Sequence, residues 1–329
     1  MTLLDAYYLV KPLIPRPLQI FLRRAIARKK LSASSSVWPI DRRAARPPEG
    51  WQGWPEGKAF ALILSHDVDT VGGHDKCPRL MEVEQRLGFR SSFYFVPEDY
   101  SVSPALRRSL TGAGFDVGVH GLLHDGKMFR SRRIFDERAL RVNKYLKDWG
   151  AVGFSSPSMH RNLDWVGDLN IAYDISTFDT DPFEPQPEGV RTIFPFWVPR
   201  RSREGGFVEI PYTLPQDHSL YIIFKHTDNR IWKEKLDWIA EKGGMALVDA
   251  HPDYMNFDGG KCALEQYPVA YYSGFLEYVQ ERYQGRYWQT LAKDVAAFWA
   301  AQSFSRDGGS DILTTLNSHR KLRARPDSA

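Results

Sequence analysis

From Ala59 onward the chain alternates short apolar runs with amphipathic stretches. Apolar runs at 60–65, 91–96, 115–120, 152–155, 173–176, 207–210 and 246–251 read as strands. Between them, 78–87, 105–110, 134–149 and 231–242 carry apolar residues at helical spacing, and Gly88, Gly112, Gly150 and Gly243-Gly244 follow as stop signals. Strands that alternate with helices of this length predict a parallel sheet with crossover connections, an α/β fold. Residues 59–302 therefore read as one domain. Residues 1–58 form an N-terminal extension and a Ser-, Pro-, Arg- and Gly-rich linker, and 303–329 a polar tail expected to be mobile.

The polar residues at the ends of the apolar runs decide between a barrel and an open sheet. His66-Asp67-Val68-Asp69, His120-Gly121-Leu122-Leu123-His124 and His251-Pro252-Asp253 each close such a run. Catalytic groups of barrels collect at the C-terminal rim of the strands, whereas an open doubly wound sheet more often has a Gly-rich phosphate loop after its first strand. Asp69-Thr70-Val71-Gly72-Gly73-His74 does not fit that loop. An irregular (β/α) barrel is the expected architecture.

Alternation along an extended chain places Ser65, Asp67 and Asp69 on one face and His66 on the other, so two carboxylates project from one strand tip. His120 and His124, spaced i, i+4, would share a face on a helical turn. Asp69, His120 and His124 thus form a candidate triad for one divalent ion, with positions left open for water and substrate. Zinc is the default, with cobalt, nickel or manganese as alternatives. Asp67 is the candidate general base and His251 the candidate general acid, with Asp249 on the same strand face placed to raise its pKa. His66 is expected to be a core histidine.

Composition narrows the partners. The 329 residues include 44 basic and 40 acidic side chains, a net charge of +4 that is too mild to argue for nucleic acid. Cys77 and Cys262 are the only cysteines, which excludes a disulfide scaffold and fits a reducing compartment. No run approaches the ~20 apolar residues of a membrane span, and the first residues lack the pattern of an export signal. The expectation is a soluble, cytoplasmic protein. One segment stands apart: between Lys11 and Lys30 there is no acid, and Lys11, Arg16, Arg23, Arg24, Arg28, Lys29 and Lys30 interleave with Ile14, Leu18, Ile20, Phe21, Leu22 and Ile26. Its shortness and its prolines favour a helix packed across its own domain. The other reading is a basic amphipathic helix at the inner face of the membrane or on a lipid-linked glycan.

With these residues in place, the chain resembles the polysaccharide deacetylases of carbohydrate esterase family four over about 59–254. In that family a first motif supplies a base and a metal ligand, matched by Asp67 and Asp69 in an Asp-x-Asp variant arrangement. A His-x-x-x-His motif is matched by His120 and His124, and an apolar strand ending in the catalytic-acid histidine by 247–251. The resemblance implies a deformed (β/α) barrel that removes N-acetyl groups from amino sugars with the help of a metal. It also implies that an aspartate orients the acid histidine, and Asp174 falls in the matching interval. The chain departs from the family at an Arg-x-Pro motif whose arginine pairs with the base. Here Ser155 takes the arginine position ahead of Pro157, and Arg161 is the expected substitute.

The substrate wall is assigned to Pro157, His160, Arg161 and Trp165, with Trp197 and Phe196 as further stacking candidates. His74 and the Asp217-His218 pair are read as local hydrogen-bonding groups near the rim, and Asp179 and Asp181 as a rim loop of undefined role. Three other readings compete: hydrolysis of a small cyclic or linear amide, a carbohydrate-binding homologue with impaired catalysis, and a non-haem iron oxygenase built on the same two-His, one-carboxylate triad.

Overall fold

The computed structural model of the chain describes residues 15–202 and 204–302. Lys11 and Ile14 of the basic segment and the polar tail 303–329 lie outside the described residues.

The strands are β1 (Phe60–Val68), β2 (Ser92–Phe95), β3 (Asp116–His120), β4 (Gly153–Ser155), β5 (Tyr173–Asp174), β6 (Phe196–Pro199), β7 (Gly206–Glu209), β8 (Met245–Asp249), the short pair β9 (Met255–Asn256) and β10 (Tyr267–Pro268), and β11 (Tyr287–Gln289). The helices are α1 (Arg16–Ser34), α2 (Val71–Arg86), α3 (Pro104–Gly112), α4 (Arg132–Trp149), α5 (Leu163–Val166), α6 (Arg230–Lys242), α7 (Ala270–Tyr283) and α8 (Ala292–Ala300). Nine strands join in one curled sheet, parallel except where β6 pairs β7.

β1 is the axis of the sheet. Every residue of it is buried, as the apolar run Phe60–Leu64 predicts for a strand covered on both faces, and burial extends to Ser65, His66 and Asp67 at its tip. β8 pairs along one side, while β2 takes the upper part of the other side and β11 the lower part. β2, β3, β4 and β5 then follow in parallel order. The far end curls back toward β8 without a regular strand. Ile210 N–H donates to Asp174 O, Tyr212 N–H to Thr177 O and Leu214 N–H to Leu247 O, so one extended segment walks from β5 to β8. Mixed α/β with a curled, mostly parallel half-barrel is the architecture expected from the strand-helix alternation.

Some elements differ from the sequence reading. α2 begins at Val71, seven residues before the stretch that the periodicity marks, because the Thr70 hydroxyl caps it by accepting from Gly72 N at 3.1 Å and Gly73 N at 3.4 Å. Pro78 is carried inside this helix. β6, β11, α7 and α8 did not register as elements. His120 and His124 do not share a helical turn: His120 ends β3, and the chain then bends irregularly through His124.

Candidate active site

The parallel register brings the C-terminal ends of β1, β3, β4 and β8 to one rim. Ser65 pairs with Asp249, Asp67 with Tyr94 and His120 with Ser155. Asp69 follows β1 directly, and its Oδ1 lies 3.4 Å from Nε2 of both His120 and His124. The loop reaches this arrangement through Gly121, whose φ is 62° and whose missing Cβ would sit 2.6 Å from Pro157 Cδ. Asp99 Oδ2 accepts the His124 backbone N–H at 2.6 Å and fixes the loop's far end. Asp69 Oδ1 is buried and makes no hydrogen bond. A buried, unsatisfied carboxylate oxygen facing two imidazole nitrogens suits a divalent cation. Burial opposes ionisation of Asp69, but His124 and His120 outweigh it and hold the carboxyl far below its ordinary range, while burial draws His120 down to about 4.

Asp253 buttresses this group. Its Oδ2 accepts the Asp69 backbone N–H at 3.0 Å and its Oδ1 the Thr70 hydroxyl at 2.6 Å. The carboxylate fills the space that a Cβ on Gly73 would need, 2.1 Å from Oδ2, so glycine is required there.

Asp67 is buried beside the triad. Ser155 Oγ donates to its Oδ2 at 3.1 Å, and its Oδ1 is 3.4 Å from His120 Nδ1. Burial, and then the nearby Asp249, push its pKa well up. Side-chain atoms of Asp67, Asp249 and His251 lie within 4.8 Å of one another. Asp249 is itself held by Ser65 Oγ at 3.3 Å and Gln216 Nε2 at 2.7 Å.

His251 is oriented by Asp217. Oδ1 of Asp217 is 2.7 Å from His251 Nδ1, and Oδ2 accepts the His251 backbone N–H at 2.8 Å. Burial works against the imidazolium, but Asp217 and Asp249 together hold it protonated well above the ordinary histidine range. Asp217 immediately precedes a π-helical turn, His218–Ile223, which carries His218 into the cleft wall.

Several sequence-predicted residues stand elsewhere. Asp174 does not meet His251. Its Oδ1 accepts from Ser176 at 2.6 Å, and it faces Glu209 across the β5–β7 pairing. Burial there raises Asp174 to about 6 and Glu209 further. Arg161 does not reach Asp67: its guanidinium donates to Met159 O at 3.0 Å and to Glu188 O, over the Phe178 ring. Trp165 packs with Phe135 and Phe129 in a second apolar cluster away from the cleft. Pro157 is buried against Gly121, and His160 is pulled down to about 4 by burial behind the cleft. Of that turn, Ser158 and Met159 line the cleft instead. His66 is a core residue as expected, between Glu84 Oε1 at 2.8 Å and Ala250 O at 2.7 Å. Asp179 is no rim residue but pairs with buried Lys235 at 2.8 Å.

Asp217, Asp253 and Asp99 carry roles that the sequence reading did not assign. Asp253 had a signal, since it closes the His251-Pro252-Asp253 motif. Asp217 lies 34 residues from its partner with nothing local to mark the link.

The allantoinase Puue superposes on the chain with a TM-score of 0.60 at 16% identity, over 76% of this chain and 93% of that one. A Pseudomonas aeruginosa PAO1 protein assigned as a polysaccharide deacetylase matches with a TM-score of 0.59 at 17% identity, covering 76% of this chain and 94% of that one. The chain has the polysaccharide deacetylase fold. A Mycobacterium smegmatis protein assigned likewise gives 0.54 at 17% identity, over 86% and 98%. No protein-family model matches the sequence, and no curated protein does.

Proposed function

We propose that the protein is a metal-dependent amide hydrolase that removes N-acetyl groups from an amino-sugar saccharide. The observation that carries this reading is the placement of Asp67 and His251 beside the Asp69, His120 and His124 triad, on the wall of a cleft of about 1250 Å³. A non-haem oxygenase would have no use for that flanking base and acid. A cleft larger than the ~300–1,000 Å³ typical of small-molecule sites suits several sugar rings better than one small ring.

Asp69, His120 and His124 would hold the ion, and an ion there supplies Lewis acidity that polarises the scissile carbonyl and acidifies the attacking water. Asp67 takes the proton from that water. Ser155 supports its carboxylate form with a neutral hydrogen bond in place of an arginine. His251, kept cationic by Asp217 and Asp249, gives a proton to the departing amine, which leaves poorly without one. Asp249 acts on both proton-transfer groups, while Ser155 is particular to Asp67 and Asp217 to His251.

Acetate release from N-acetylglucosamine oligomers by the metal-loaded protein tests this reading. Metal-dependent acetate release is expected. Turnover confined to small cyclic amides, or oligomer binding without acetate release, would contradict it.

A further inference from the structure

α1 lies across the cleft mouth with two different faces. Ile20 and Ala27 are buried and Arg24 and Leu31 half-buried, at helical spacing, and Arg24 Nη2 donates to Ile222 O at 2.9 Å. Arg16 pairs with Glu265 at one end and Lys30 donates to Pro182 O at the other, so the helix is strapped in place. The outward face exposes large apolar side chains among basic ones: Phe21 is 64% exposed, Ile26 59%, Leu18 47% and Leu22 42%, with Arg28 and Lys29 exposed beside them. Across the mouth, Val71 is 57% and Leu264 42% exposed. Among the described residues, the exposed large apolar side chains outside this rim are Leu140 and Val152. Clustering of this kind marks an interaction surface.

Charge selects the partner. From Pro15 to Ser34 the chain has six basic residues and no acid. Two copies of this face would bring like charges together, whereas anionic lipid headgroups complement them and the apolar side chains find the acyl boundary. Leu22 and Ile26 also line the cleft, so the exposed apolar side chains of α1 border its mouth. We propose that α1, with Val71 and Leu264, docks the protein on an anionic phospholipid surface and turns the cleft mouth toward saccharides carried there. The choice of substrate rests on the hydrolase reading; the docking does not.

The test is co-sedimentation of the full chain with vesicles of phosphatidylcholine mixed with phosphatidylglycerol, against phosphatidylcholine alone. A preference of about tenfold or more for the anionic vesicles is expected, falling as salt is raised. Phe21→Glu should weaken binding about tenfold, and Arg28→Glu with Lys29→Glu should abolish the preference, with melting temperature unchanged. Equal weak binding to both vesicles, or wild-type binding by Phe21→Glu, would overturn the proposal. So would a lipid-free dimer that Phe21→Glu converts to monomer, since the face would then be a self-association surface. Because sedimentation needs no turnover, its failure would leave the deacetylase reading standing, and failure of acetate release would leave the docking standing.

Discussion

Asp217 grips His251 twice, with Oδ1 2.7 Å from the ring Nδ1 and Oδ2 accepting the backbone N–H at 2.8 Å. The Tyr267 hydroxyl donates to the same Oδ2 at 2.9 Å, which fixes the carboxylate in turn. A proton held on Nδ1 leaves Nε2 as the atom that exchanges protons. A general acid works only while protonated, so activity falls as pH rises through its pKa. Asp217→Asn removes a charge that raises that pKa. The alkaline limb of the kcat profile should move down by about one unit or more, with kcat lowered ~10²-fold. Asp174→Asn should leave that limb in place, and a pH-rate series on both variants checks the contrast.

Ser155 is the group that holds Asp67, at 3.1 Å. A base must be ionised, so activity falls as pH drops below its pKa. Ser155→Ala deletes a bond that favours the ionised form, and the acidic limb should move upward with a several-fold loss near neutrality. Arg161→Ala should leave this limb unmoved yet lower stability by about 1–3 kcal/mol, since the buried Met159 carbonyl and the half-buried Glu188 carbonyl lose their donor. A shifted acidic limb in Arg161→Ala would refute the assignment.

The strand ends were legible because the two carriers of information coincide there. Continuous apolar runs announce buried parallel strands, and polar residues that interrupt them at the tip must be satisfied by one another. Alternation was enough to separate Asp67 and Asp69 from His66. The His120–His124 spacing misled because i, i+4 suits a helix, yet a glycine with positive φ lets an irregular loop reach the same bite. Asp217 was illegible for a different reason. Its contact with His251 depends on the irregular segment that bridges β5 to β8 and on a π-helical turn, and neither has a periodic signature. Asp174 has the right residue type at the right interval, but the pairing with β7 commits it to Glu209.

Gly121 makes the His120–His124 bite possible. Gly121→Ala puts a Cβ 2.6 Å from Pro157 Cδ at a φ of 62°. The expected cost is about 1–3 kcal/mol, read by chemical denaturation. Metal affinity, read by chelator competition, should fall by about 10- to 100-fold as His124 is displaced.

Asp253 acts on Asp69 through the backbone. Asp253→Ala should weaken metal binding about tenfold without touching a ligand. Gly73→Ala should reproduce the effect, because its Cβ would occupy the space of the Asp253 carboxylate. Wild-type affinity in both variants would remove Asp253 from the site.

The central claim is that Asp69, His120 and His124 hold one ion that Asp67 does not. Metal content of the purified protein, measured by mass spectrometry beside Asp69→Ala, His120→Ala, His124→Ala and Asp67→Asn, tests it directly. The account predicts one ion per chain in wild type and in Asp67→Asn, the latter releasing almost no acetate, and near-zero occupancy in the other three. An ion retained in all three ligand variants would contradict it.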